Sequence, residues 1–366
     1  MSKVPVNNLK NGFELYKEEL ENKALEVLRS GWYILGNEVK QFEKEFSEVI
    51  GTKYCVGVDN GLNAISLGIR ALGITRGDEV LVQANTYIAT VLGITINGAT
   101  PVFVEPTEFY NMDPNKIEEL ITRSTKAVLV THLYGQATEM KKIIEICEKY
   151  NLFLLEDCAQ SHYAKYDNKM TGTFGVMGFF SFYPTKNLGA FGDAGAVVTN
   201  DKELAYKIQM LRNYGSVIRY ENMVEGYNSR LDELQAGLLR VKLKHLTDST
   251  KEREYIASRY LNEMTNPLVK LPRVAHLATH VWHLFVVEVS DRDRFREYLA
   301  SQGVDTDIHY KTPPHLSVAY KRLGHSRGDL PITETIVDKI VSLPIYNGMT
   351  DVEIETVIAA VNSYEK

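Results

Sequence analysis

Between residues 54 and 199 the chain alternates short, continuously apolar runs with stretches of helical periodicity, and few folds accommodate that alternation. The runs are Tyr54–Val58, Glu79–Gln83, Pro101–Val104, Ala127–Thr131 and Leu152–Leu155. Each is too short for a typical helix and dense in branched or aromatic side chains, which suits a strand. Their apolar residues are consecutive rather than alternating, so both faces of each strand must be covered. Residues 62–72, 87–96 and 140–150 lie between them with helical spacing, and Asn60-Gly61 suits an N-cap for the first of the three. Such β-α-β repetition predicts an α/β fold with a mostly parallel sheet and helices on both faces. Residues 177–182 and 196–199 read as two more strands. Ahead of the pattern, Phe13, Leu20, Ala24, Val27 and Leu28 predict one helix over residues 13–29.

The character changes after about residue 230. Residues 231–246 predict a long amphipathic helix with Asp232 and Glu233 early and Lys242 and Lys244 late, as the helix dipole favours. A strand over 282–289, a helix over 291–301, a strand over 304–309 and a closing helix over 351–364 follow. We expect a large domain over residues 1–250 and a smaller C-terminal α/β domain over 251–366.

Charge and cysteine usage narrow the functional classes. The formal net charge is −6 and no basic stripe is visible, which argues against nucleic acid or an acidic membrane surface as partner. The three cysteines, Cys55, Cys147 and Cys158, form no C-x-x-C pair and fit a reducing compartment. The start shows no signal-peptide core, and no window approaches the ~18 apolar residues of a membrane span. The expected location is the cytoplasm.

Ligands of open α/β sheets sit beyond the carboxyl ends of the strands. Four segments deliver polar groups to that edge. Val58-Asp59-Asn60-Gly61-Leu62 passes from strand to helix, where free backbone N–H groups can seat a phosphate; a plain capped turn is the duller reading. In LLEDCAQ, Asp157 can face a pyridinium nitrogen and keep it protonated, or simply cap the next segment. In SFYPTKNLGAFGDAGAVVTND, Ser181 can donate to a phosphate, and Lys186 is set among small, aromatic and glycine neighbours unlike those of a solvated surface lysine. Such a lysine can form a Schiff base once its amine is neutral. In Asn85-Thr86-Tyr87 the tyrosine can stack on a flat ring, or belong to the core. A phosphate seat, a ring-nitrogen acid, a Schiff-base lysine and a stacking aromatic together match what pyridoxal 5′-phosphate requires.

Over essentially its whole length the chain resembles the DegT/DnrJ/EryC1/StrS family of sugar aminotransferases. The stretches that carry the resemblance include GDEVLVQANTYIAT, NGATPVFVEP, THLYGQATEM, LLEDCAQSHYAKY, GTFGVMGFFSFYPTKNLGAFGDAGAVVTND, VWHLFVV and DTDIHYKTPPH. The resemblance implies a fold-type I, aspartate-aminotransferase-like large domain with a smaller one behind it. It implies that Lys186 forms the Schiff base and shuttles the proton, that Asp157 pairs with the pyridine nitrogen and Gln160 with the ring hydroxyl, and that Tyr87 stacks on the ring. Gly61, Leu62 and Ser181 would hold the phosphate. Asn228 would reach the cofactor of a neighbouring subunit, which implies a homodimer with shared sites. Tyr183, His309 and Tyr310 would meet the substrate. NGLNAI, LRNYGS and YNSRLDELQ most resemble enzymes that aminate C3 of a dTDP-linked 3-keto-6-deoxyhexose, with L-glutamate as donor and no metal. Asn63 and Cys158 depart from the residues usual at their positions, and neither removes a group that the chemistry requires.

Other readings differ in what they need. A sugar dehydratase of this frame replaces the Schiff-base lysine with histidine. A dinucleotide oxidoreductase needs G-x-G-x-x-G after the first strand. A C4 aminotransferase on a dTDP- or UDP-linked sugar is the nearest alternative, and a non-catalytic pyridoxal-phosphate-binding protein the next. His276, His280 and His283 have metal-like spacing without an obvious carboxylate partner. Cys158 lacks an identifiable base and reads as a small buried thiol.

Overall fold

The computed structural model describes residues 3–365. A seven-stranded sheet is built from β1 (Tyr54–Val58), β2 (Glu79–Gln83), β3 (Thr100–Val104), β4 (Thr125–Thr131), β5 (Phe153–Asp157), β8 (Met177–Ser181) and β9 (Gly195–Thr199), in the order β1-β9-β8-β5-β4-β2-β3. The short strands β6 (Lys165–Tyr166) and β7 (Lys169–Met170) form a separate hairpin. From β8 to β3 all neighbours are parallel; β9 runs antiparallel to both β8 and β1. The sheet is thus mixed and mostly parallel, as the apolar runs predict.

Successive residues on a strand face opposite sides, and both sides here are packed. Val80, Val82 and Leu129 join one core together with Ile65, Leu67 and Ile69 of α4 (Gly61–Ala71) and Val91 and Ile94 of α5 (Ile88–Thr95). Leu81, Val128 and Val130 join another with Met140, Ile143 and Ile146 of α6 (Met140–Tyr150). Beneath β8 and β9 a third core gathers Phe42 and Phe46 of α3 (Asn37–Ile50), Phe180 of β8 with the following Phe182, and Leu239 of α8 (Glu233–Lys244). Phe46 meets both Phe180 and Phe182 edge to face at 5.0 and 5.2 Å. Double-sided burial is why these strands read as unbroken apolar runs.

A second sheet, β10 (Val269–Lys270), β11 (Phe285–Val289) and β12 (Ile340–Leu343), is antiparallel. Its core holds Tyr260 of α9 (Leu246–Glu263), Phe295 of α10 (Arg292–Ser301) and Val357 of α12 (Asp351–Asn362). Val4 packs into this core and pairs with Val304, so the start of the chain returns to its end. Helix α11 (Pro331–Lys339) precedes β12, and α7 (Lys202–Leu211) follows β9.

Three expectations are corrected. The helix over 13–29 is two, α1 (Leu9–Glu14) and α2 (Lys17–Ser30), because the chain breaks at Leu15-Tyr16. The stretch 304–309 is no strand; it makes only single bridges, Val304 with Val4 and Asp307 with Ser342, so each residue takes a different partner. The helix over 231–246 ends at Lys244, where His245 has non-helical dihedrals, and α9 starts afresh. No helix among the described residues is long and apolar enough to cross a membrane.

Candidate active site

The strand directions gather the predicted residues at one edge. Ser181 ends β8 and lies opposite Gly195 of β9, which also lies opposite Val58, the end of β1. The turn Asn60-Gly61 therefore stands beside Ser181. The approach is close: a Cβ on Gly61 would lie 2.6 Å from the Ser181 Cβ, and one on Gly195 would lie 2.5 Å from the Asn60 carbonyl. Glycine at both positions keeps the N-terminus of α4 open, and Asn60 caps it by accepting from the Asn63 N–H at 2.8 Å. β5 is parallel to β8, so Asp157 reaches the same edge.

A cavity of about 540 Å³ opens there. Its wall includes Gly61, Leu62, Tyr87, Asp157, Gln160 and Ser181. Tyr183, Lys186, His309 and Tyr310 also line it. Ten of the eleven predicted site residues are thus brought together. Asn228 is not part of this wall; it is exposed, on the segment paired with Asn213.

Asp157 is buried, 4 % exposed. One oxygen accepts from Thr90 Oγ1 at 2.7 Å and the other from the Ala159 N–H at 3.1 Å. Burial raises its pKa above the usual carboxylate value, while Thr90, Ala159 and the charge of Lys186 act against that rise. Lys186 is half-buried, and burial lowers its pKa to about 8, with Asp157 opposing the fall. The lysine therefore has a readily available neutral amine.

Gln160 accepts from the Tyr134 N–H at 2.6 Å and donates to the Tyr310 hydroxyl at 2.9 Å. The Tyr310 ring in turn lies 4.8 Å from the Tyr87 ring. His309 bonds Ser342 through Nδ1 at 2.8 Å, and burial lowers its pKa against the pull of Asp307. Tyr183 is 52 % exposed at the mouth.

The two acids that end β5 have separate duties. Glu156 accepts from the N–H groups of Gly172, Phe174 and Gly175, each at 2.7 Å, and from His132 at 3.1 Å, so it ties the 172–175 loop under the sheet. Ligand atoms of His132, Glu156 and Cys158 lie within 4.8 Å of one another, yet the Glu156 oxygens already accept four protein hydrogen bonds. The spaced histidines do not converge: His276 is exposed, His280 stacks on Trp282 at 3.8 Å, and His283 bonds Asn187.

Sequence reasoning missed Thr90 and the placement of His283 in the cavity wall. Thr90 lies in the first turn of α5 and its hydroxyl meets that of Thr86, just before the helix, at 2.8 Å. His283 gave no signal beyond its type.

The donor set fits pyridoxal phosphate on the evidence of its own geometry. It offers a half-buried amine, a buried acid, an aromatic face and a helix N-terminus cleared by two glycines that a Cβ would block.

Comparison with known proteins agrees. Residues 14–362 match the DegT/DnrJ/EryC1/StrS aminotransferase family. The chain is 51% identical over 362 residues to a dTDP-3-amino-3,6-dideoxy-alpha-D-galactopyranose transaminase of Aneurinibacillus thermoaerophilus, covering 99% of each chain. It superposes with a TM-score of 0.97 on a crystal structure of DesV from S. venezuelae in complex with a ketimine intermediate, at 43% identity and covering 99% of this chain and 98% of that one. NtdA from Bacillus subtilis with bound cofactor PMP gives a TM-score of 0.92 at 31% identity, covering 99% of this chain and 85% of that one. The chain belongs to the DegT/DnrJ/EryC1/StrS aminotransferase family.

Proposed function

We propose that the protein is a pyridoxal-phosphate-dependent aminotransferase that moves the amino group of L-glutamate to a nucleotide-linked keto sugar, at C3 of a dTDP-3-keto-6-deoxyhexose. The observation that carries this reading is the presence of Lys186 and Asp157 in the wall of one cavity, the lysine lowered to about 8 by burial. The substrate follows from the name of the Aneurinibacillus transaminase and from its identity with this chain.

When bound, the cofactor supplies an electron sink for the carbanion formed at the amino acid's Cα. Lys186 Nζ would take the proton from that carbon as base and deliver it as acid to the cofactor's aldehyde carbon, a transfer that a pKa of about 8 favours. Asp157 would hold the ring nitrogen, and Tyr87 would cover one ring face. Gly61, Leu62 and Ser181 would seat the phosphate at the N-terminus of α4, and Gln160 would meet the ring hydroxyl. Tyr183, His309 and Tyr310 orient the sugar at the mouth.

We also propose a homodimer in which Asn228 completes the partner's site. Its exposure supports this, as do the exposed large apolar side chains of Ile218, Tyr220 and Met223 on the neighbouring segment. A division near residue 250 is supported by the separate core of the second sheet, with Val4 crossing back. A cytoplasmic location is supported by three free, buried cysteines.

The test is visible absorbance. Wild-type protein with pyridoxal phosphate should turn yellow and lose that colour with L-glutamate, while Lys186→Ala should do neither. A wild type that holds the cofactor but responds to no amino donor would overturn the reading.

A further inference from the structure

A second cavity, of about 250 Å³, meets the first at Thr185 and Lys186. Its wall carries three cations, Lys186, Lys242 and Arg253, and no aspartate or glutamate. Among the described residues none of the three lies within 4.0 Å of a carboxylate. In a chain of net charge −6 this is a local excess of positive charge.

The cations keep donors to spare. Lys242 Nζ has three protons and gives one to the Gly189 carbonyl at 2.6 Å. Arg253 is 4 % exposed. Its Nε donates to Asn347 at 2.9 Å and its Nη1 to the carbonyls of Trp282 and Ile345 at 3.0 and 3.3 Å. Its Nη2 finds no acceptor among the described residues. The neighbouring acid, Glu252, is turned away to Asn347 and the Gly348 N–H, each at 2.7 Å.

Cations drawn out of water without a counter-charge are costly unless an anion joins them. Burial lowers Lys242 to about 8 and Arg253 to about 10. An anion in the cavity offsets that cost. Lys242 sits on α8 and Arg253 on α9, so two positive heads reach the space from separate helices. One carboxylate satisfies one of them; a diacid satisfies both. At about 30 Å³ for each liquid water the space is equivalent to about eight waters, ample for a five-carbon chain.

We propose that this cavity binds a small dicarboxylate, the class of L-glutamate and its 2-oxo acid, through Lys242 and Arg253. The choice of class rests on the aminotransferase reading; the anion site itself does not.

Succinate is the probe, because it has the two carboxylates but neither the amino nor the keto group that could react. It is titrated calorimetrically into the cofactor-loaded wild type, Lys242→Met and Lys242→Arg. The expected result is binding by the wild type, at least tenfold weaker binding by Lys242→Met, and recovery in Lys242→Arg. The visible spectrum of the loaded variants reports whether the lysine loop is intact. Equal affinity in wild type and Lys242→Met, or no binding to the wild type, overturns the proposal even if glutamate still bleaches the cofactor. Inorganic phosphate binding as tightly as succinate overturns the dicarboxylate assignment. A wild type that binds succinate through Lys242 but ignores every amino donor sinks the aminotransferase reading and leaves the anion site standing.

Discussion

Thr90 Oγ1 donates to Asp157 Oδ2 at 2.7 Å, joining the helix after β2 to the acid that ends β5. Thr90 has a single hydroxyl proton, so its other contact, to Thr86 Oγ1 at 2.8 Å, must be accepted from Thr86. By the same logic Thr86, 3.0 Å from Thr131 Oγ1, accepts from Thr131. Three hydroxyls thus point their protons in sequence toward one buried carboxylate, which favours its charged form.

Replacing Thr90 by valine keeps the shape and removes that proton. A hydrogen bond to a charged group contributes about 1.5–3 kcal/mol. The variant should hold cofactor more weakly, and its glutamate half-reaction should slow by about tenfold or more. Single-turnover absorbance with glutamate checks this, and Thr90→Ser should restore most of the rate because serine keeps the donor. An unchanged Thr90→Val rate would show that Asp157 does not depend on the relay.

Lys186 reacts with an aldehyde only as the free amine. Its pKa is lowered from 10.5 to about 8, so the neutral fraction rises with pH and levels off above that value. Colour development on adding pyridoxal phosphate to cofactor-free protein should accelerate up to about pH 8 and then reach a plateau. The stability sign runs the same way. Between about 8 and 10.5 the unfolded chain binds the extra proton, so the lysine's contribution to stability grows as pH rises through that window. A rate still climbing steeply at pH 10 would place the lysine in open water.

Gly61→Ala puts a methyl 2.6 Å from the Ser181 Cβ. The helix start and the end of β8 must part, an overpacking cost of about 1–3 kcal/mol. Cofactor affinity, followed by fluorescence quenching, should fall by about tenfold or more, with a smaller drop in the urea midpoint. Affinity at the wild-type level would exclude this turn as the phosphate seat.

Asn228 tests whether sites are shared between copies. Asn228→Ala should weaken cofactor binding although the residue is absent from the cavity wall of its own chain. Lys186→Ala protein, inactive, and Asn228→Ala protein, impaired at limiting cofactor, should together exceed the sum of their separate activities at limiting cofactor when unfolded and refolded as a mixture, since a mixed dimer holds one site with both residues native. Mixtures no better than the sum of their parts would confine each site to a single chain.

Much of the sheet was legible because burial on both faces writes itself into consecutive side chains. VLVQ, AVLVT and LLED declare strands before any pairing is known, and the carboxyl-edge rule then points to Asp157, Ser181 and Lys186. Strand direction was not legible. Nothing local in GAVVT says that β9 runs against β8, and that reversal is what brings Gly195 beside Asn60 and Gly61 beside Ser181. The apolar spacing of residues 13–29 survives a break at Leu15-Tyr16, so it predicted one helix where there are two. In 304–309 Val304 and Ile308 fall on one face of an extended chain, but no single neighbour offers a continuous ladder.

By itself the sequence determined which residues are apolar enough to be buried, and it pointed to Lys186 among small, aromatic and glycine neighbours. Only the tertiary structure decided that Thr90 serves Asp157 and that Lys242 and Arg253 share a cavity with Lys186. The physical reason is distance along the chain. Periodicity reports the surroundings of one segment at a time, whereas a hydrogen bond across 67 residues, or three cations facing one space from separate elements, exists only once the segments are packed.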